Sequence, residues 1–186
     1  MVLLPIILIT FLVSLVPFSV ALNTSVYRCV VVKEALKIAV VFALFQVAML
    51  ALGWVIGFGI KGLLQSMAFP VAAMVVFFIG ARIFLDSRRF GREQRTMAVE
   101  DNRILLGFAF VTSINTALLG MGLGIVYKEI LMLCGFLFAM VFLVTVIGIR
   151  LGKRGMISLG RSAELLGGTG LIMVSIVMVL QYLKIF

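Results

Sequence analysis

The sequence predicts an all-α integral membrane protein with six transmembrane helices, arranged as two inverted three-helix repeats. Three observations carry that expectation. The 186-residue chain is 64% hydrophobic and 12% charged, with a mean hydropathy of +1.31, whereas soluble domains carry roughly 25% charged residues. Its apolar residues fall into six uncharged windows of 19 to 24 residues, and a helix of about 20 residues crosses the ~30 Å hydrocarbon layer. Its basic residues crowd into alternate connections. A transmembrane β-barrel would instead show alternating segments of about 10 residues, which the chain lacks. One membrane domain spanning 1–186 leaves no room for a sizeable soluble one.

The first window, Val2–Leu22, has no Lys or Arg ahead of its apolar run and no small-residue cleavage site after it. It reads as a retained helix rather than a signal peptide. Pro17 lies mid-span between Ser14 and Ser19. Proline removes a backbone donor, which leaves two readings open, a packing kink or a freed carbonyl facing a central cavity. The second window, Ile38–Ile60, holds Gln46 and the glycines Gly53, Gly57 and Gly59. The third, Gly62–Ala81, has Pro70 near the start of its helix. Arg82 and Asp86 follow at its inner end, four apart, a spacing that suits a surface ion pair. The fourth, Ile104–Tyr127, contains "VTSINTALLGMGLG" from Val111 to Gly124, with Thr112, Ser113, Asn115 and Thr116 close together. The fifth is Ile130–Ile149, with Thr145. The sixth is Leu165–Leu183, with Thr169 inside "GGTG".

The charges set the orientation. Arg28, Lys33 and Lys37 separate helices 1 and 2. Arg88, Arg89, Arg92, Arg95 and Arg103 separate helices 3 and 4, and Arg150, Lys153, Arg154 and Arg161 separate helices 5 and 6. The other two connections offer only Lys61 and Lys128. Short cytoplasmic loops retain positive charge, so the three basic loops are expected inside and both termini outside. The net charge of +9 then reflects topology and contact with anionic lipid, not nucleic acid. Cys29 and Cys134 fall on opposite faces and cannot bridge, since a disulfide needs Cα atoms within about 7 Å.

The polar stretch "DSRRFGREQRTMAVEDNR", residues 86–103, divides the chain into a first half, 1–85, and a second half, 104–186. Three is odd, so the halves enter the membrane from opposite sides, the layout of inverted repeats with a midplane site between them. Local echoes agree. "FLVSLVPFSVAL" resembles "FVTSINTALLGM", pairing Ser14 with Ser113 and Val16 with Asn115, and "WVIGFGIKG" resembles "TVIGIRLGK".

Catalytic chemistry is not expected. The chain has no histidine, and its seven carboxylates (Glu34, Asp86, Glu93, Glu100, Asp101, Glu129 and Glu164) are expected at helix ends or in loops. Neutral polar residues inside spans remain. A lone Ser or Thr satisfies itself on its own helix, but the amides of Gln46 and Asn115 need other helices. The expected lining of a transport site is Ser14, Pro17, Gln46, Ser113, Asn115 and Thr116. No cofactor is expected, and the amide oxygens of Gln46 and Asn115 are the metal-ligand candidates.

These segments together resemble the MntP-type manganese efflux pumps, small six-helix proteins of the LysE transporter superfamily. "FLVSLVPFSVAL" is similar to that family's first-helix signature, and "FALFQVAMLALGW" to its second, where Gly53 and Trp54 match. "FIGARIFLDSRR" is similar to the third, "TSINTALLGMGLG" to the fourth, and "GRSAELLGG" to the opening of the sixth, where Ala163, Glu164, Gly167 and Gly168 match. The resemblance implies a bacterial inner-membrane exporter with Mn²⁺ as its transported substrate. It also aligns three intramembrane acids of the family with Val16, Gln46 and Asn115, all neutral here. Mn²⁺ prefers hard oxygen ligands, carboxylates among them, so two readings follow. One is a transporter whose site has kept its shape and lost its charge. The other is a transport-inactive relative serving as a structural or accessory subunit of a larger membrane complex. The expected partners are the lipid bilayer and either a second copy of the chain or such a complex.

Overall fold

A backbone in hydrocarbon has to satisfy every N–H and C=O within its own segment, and the apolar windows accordingly become helices. The computed structural model describes residues 3–27, 31–64, 67–89, 102–127, 130–154 and 157–185. Within these lie α1 (Leu3–Tyr27), α2 (Val32–Leu64), α3 (Ala68–Arg89), α4 (Asn102–Val126), α5 (Ile130–Gly152) and α6 (Ile157–Ile185). All six are long and apolar enough to cross a membrane, and no strand occurs among the described residues. The protein is a multi-pass membrane protein. Arg28, Cys29, Arg92, Arg95, Arg103 and Lys128 lie outside the described side chains.

The helices differ from their windows, most of all at α3 and α6. α3 starts at Ala68 rather than Gly62, which puts Pro70 in the first turn, where a missing N–H costs nothing, and the helix continues through Arg82 and Asp86 to Arg89. α6 starts at Ile157, eight residues before the window's Leu165, so Arg161 lies on the helix rather than in the connection and Glu164 lies about two turns inside it. The cause is physical. Arg and Glu are good helix formers, and Arg161, which is exposed, extends its head toward water without breaking the helix.

Odd-numbered helices run toward one end of the bundle and even-numbered helices away from it. Lys33, Lys37, Arg88, Arg150, Lys153 and Arg154 gather at that basic end, while Lys61 lies at the other.

Glycines decide how the helices dock, because lipid supplies no hydrophobic drive and close backbone approach must. Gly53 and Gly57 of α2 lie on the backbone of Ala117 and Met121 of α4, and Gly120 and Gly124 return the contact on Leu50 and Trp54. Gly148 and Gly152 of α5 lie in the same way on Phe18 and Leu22 of α1. Phe18 and Leu22 precede Ala117 and Met121 by 99 positions, the offset that also separates Ser14 from Ser113. Gly80 of α3 and Gly168 of α6 face each other: a Cβ on Gly80 would meet Gly168 O at 2.9 Å, and one on Gly168 would meet Gly80 O at 2.9 Å. The remaining principal pairings are α1 with α6, α2 with α5 and α3 with α4. Exchanging the two halves maps this set of pairings onto itself.

Large apolar side chains such as Leu44, Leu52, Phe78, Leu131 and Met173 point outward, the arrangement lipid requires. Inside, Phe42, Leu50, Ile79, Leu119, Leu137 and Leu171 are fully buried.

Candidate transport site

Mid-depth polar residues come from α2 and α4. Gln46 stands fourteen residues into the span Val32–Gly62 and Asn115 ten into Leu105–Val126, each near the middle. Gln46 and Thr116 are fully buried, and Asn115 is 6% exposed. The Thr116 hydroxyl donates to Gln46 Oε1 across the α2–α4 contact. Gln46 Nε2 and Asn115 Oδ1 find no hydrogen-bond partner among the described residues, and the same holds for Ser19 Oγ and Thr145 Oγ1. Buried polar atoms are overwhelmingly paired in folded proteins, so four orphans among the described side chains mark a polar interior with unmet capacity.

The hydroxyls divide into two groups. Ser14 Oγ donates to Phe11 O at 2.6 Å and Ser113 Oγ to Phe110 O at 2.7 Å, each three residues back on its own helix. Thr112 donates to Phe108 O at 2.9 Å and Thr169 to Leu165 O at 2.7 Å, each four residues back. These satisfy themselves as expected. Pro17 is buried within an unbroken α1, and its ring leaves the Val13 carbonyl without the usual intrahelical donor. Ser175, which the sequence did not single out, donates to Ala73 O at 2.8 Å and ties α6 to α3. Trp54 Nε1 donates to Tyr127 O at 3.0 Å, closing the end of α4 over α2.

A cavity of about 90 Å³ lies toward the basic end, lined by Val16 and Val20 of α1, Arg82, Ile83 and Asp86 of α3, Phe108, Val111, Thr112 and Asn115 of α4, and Glu164 of α6. It has room for several waters, each needing roughly 10–15 Å³ on this measure. Its mouth is marked by Arg82 and Asp86, whose Nε and Oδ2 stand 3.8 Å apart with side chains 44% and 42% exposed. Its inner limit is Asn115. Of the expected lining residues, only Asn115 borders this cavity; Gln46 and Thr116 bond each other beside it, and Ser14, Ser113 and Pro17 lie in packed helix.

Glu164 lies deeper in its helix than the charge-bounded window places it. It is half-buried on α6, six residues inside the span Ser158–Leu180, or about 9 Å at ~1.5 Å per residue. Ser19 Oγ lies beside its carboxylate without making a hydrogen bond of normal geometry. Among the described residues Glu164 has no ion-pair partner, and no group of three or more His, Cys, Asp and Glu forms a ready metal cage. A signal for its position existed in the sequence. Gly160, Ala163, Gly167 and Leu171 recur at helical spacing across the charges and are all buried, a stripe that runs on past Arg161 and Glu164.

The sequence profile of the family described as "Putative manganese efflux pump" matches residues 29–179. The chain belongs to the manganese efflux pump family. Relatives of the family bear the name "Putative manganese efflux pump MntP". The chain is 28% identical over 156 residues to one from Rippkaea orientalis, covering 83% of each chain. It is 32% identical over 160 residues to one from Corynebacterium glutamicum, covering 82% of each. To a relative from Clostridium botulinum strain Langeland it is 25% identical over 194 residues, covering 98% of this chain and 96% of the other. No solved structure matches the chain. In this manganese efflux pump relative, the cavity runs from the basic end to mid-depth, and its polar lining is the Arg82 guanidinium with the oxygen-bearing side chains of Asp86, Thr112, Asn115 and Glu164.

Proposed function

We propose that the protein exports manganese, or a closely related divalent cation, from the bacterial cytoplasm across the inner membrane. Family membership supports the substrate class, since the relatives bear the name "Putative manganese efflux pump MntP". The positive-inside rule supports an orientation with the basic end in the cytoplasm and both termini outside. In that orientation the cavity is a cytoplasmic entrance that reaches Asn115 at mid-depth, and this is the observation that carries the reading. The exchangeable helix pairings support two inverted repeats, with the site between them. An accessory subunit that moves nothing needs no wet approach between α1 and α4, and the cavity lies there.

Manganese tolerance of a bacterial strain lacking its own exporter tests the proposal, alongside Mn²⁺ flux in proteoliposomes. Restored growth in excess manganese and saturable flux are expected. Absence of both from well-expressed, monodisperse protein would overturn it.

A further inference from the structure

We infer that Glu164 supplies the negative charge for the cation, holding it in the cavity between α1, α3, α4 and α6 together with Asn115 Oδ1; the assignment rests on the export reading above. A carboxylate inside a span is expensive and calls for a partner, and Glu164 has no ion-pair partner among the described residues. Asn115 provides the second, independent observation. The residue borders the same cavity, and its Oδ1 is buried and accepts no hydrogen bond. Ser19 Oγ, also without a partner, lies beside Glu164. Two oxygen-bearing side chains from two helices, Glu164 of α6 and Asn115 of α4, thus border one space, with Ser19 of α1 beside the carboxylate.

The chemistry selects a hard cation. Apart from the Arg82 guanidinium, the polar lining is carboxylate, amide and hydroxyl, with no sulfur or imidazole, and its oxygen atoms suit Mn²⁺, Mg²⁺ or Ca²⁺ over Cu(I) or Zn²⁺. Val16, Val20, Ile83, Phe108 and Val111 form apolar walls, which strengthen a charge–charge contact by lowering the local dielectric. Charge balance involves Asp86 as well. It is held by Arg82 in an exposed i,i+4 pair at 3.8 Å, a weak kind of contact that an entering cation displaces. Asp86 and Glu164 then offer two negative charges to the cation, with the Arg82 guanidinium still at the mouth. The negative charge missing from Val16, Gln46 and Asn115 is therefore met from α6 and α3.

The test is Mn²⁺ binding to the full chain in lipid nanodiscs, read from the loss of the free-ion electron paramagnetic resonance signal. Glu164→Gln is expected to weaken binding roughly a hundredfold, the scale of a lost contact charge in a partly buried site. Adding Asn115→Asp to that variant places a carboxylate on the facing wall and is expected to restore binding, which a merely structural role for Glu164 would not allow. A folded Glu164→Gln protein that binds like the wild type, or one that Asn115→Asp does not rescue, overturns the assignment. If Glu164→Gln does not fold, Asn115→Asp alone decides, since the assignment expects tighter Mn²⁺ binding and unchanged affinity sinks it. Wild-type protein that neither binds nor moves Mn²⁺ overturns the export reading itself. Wild-type flux that persists unchanged in Glu164→Gln overturns only the role of Glu164.

Discussion

Thr116 and Gln46 are bonded to each other in the middle of the bundle, hydroxyl to amide oxygen, where neither meets solvent. The bond fixes α4 against α2 at the depth of the candidate site. Removing either partner leaves a buried polar atom unmet, but interhelical bonds in membranes are modest because the unfolded state also finds partners. A double-mutant cycle with Thr116→Val and Gln46→Leu, followed by reversible unfolding in mixed micelles, should give a coupling of about 0.6–1.7 kcal/mol. Strict additivity would show that the two side chains do not interact.

Close approach at Gly53 makes a second, sharper prediction. A Cβ there would run into the carbonyl of Ala117, a backbone atom that cannot swing aside, whereas Gly59 on the same helix has nothing within 4 Å. Gly53→Ala should therefore lower stability by at least about 1–3 kcal/mol through overpacking. Gly59→Ala should be neutral, or stabilising by up to about 1 kcal/mol through helix propensity. Thermal unfolding of the two variants side by side checks the contrast, and equal effects would contradict the α2–α4 packing.

How far the sequence carried this reading depends on the residue. Continuous apolarity is a strong signal and located all six spans. The alternation of basic loops gave the bundle its ends. Gln46 was recognisable as an amide that must face another helix, and it does. Helix boundaries were less legible, because windows drawn between charges treat every Arg or Glu as an end. α6 disregards that rule: Arg161 and Glu164 ride on its first turns, so a carboxylate expected at a helix end or in a loop stands inside a span. The echo between helices 2 and 5 was one turn out of register. Sequence similarity pairs Gly57 with Gly148, while packing pairs Gly53 and Gly57 with Gly148 and Gly152. Short apolar strings look alike at several offsets, and only the partner backbone distinguishes them. That Asn115 and Glu164 share a cavity was beyond reach, since it depends on how four helices meet.

Arg82 offers a prediction in which stability and binding part company. Its ion pair with Asp86 is exposed and intrahelical, so Arg82→Gln should shift stability by no more than about 0.5 kcal/mol. The same change removes a fixed positive charge from the cavity mouth and frees Asp86 for the cation, so Mn²⁺ should bind more tightly. Lower salt should widen the difference, because the mouth is exposed and screening is weaker there at low ionic strength. Isothermal titration at two salt concentrations measures both effects. Weaker binding in Arg82→Gln would mean that Arg82 positions the site rather than competing with the ion.

Val111 tests whether the cavity is the route. It borders the cavity on α4 and is 54% exposed, so a larger side chain can be accommodated on its outer side without overpacking the core. Val111→Trp adds bulk well beyond the room of a few waters and narrows the approach to Asn115. Export should fall strongly while expression, monodispersity and unfolding temperature stay near wild type. Val55→Trp, at a similarly exposed position on α2 away from the cavity lining, should leave flux unchanged. Flux assays on matched proteoliposomes compare the two directly. If both variants transport alike, ions reach mid-depth by another path and the cavity is not the entrance.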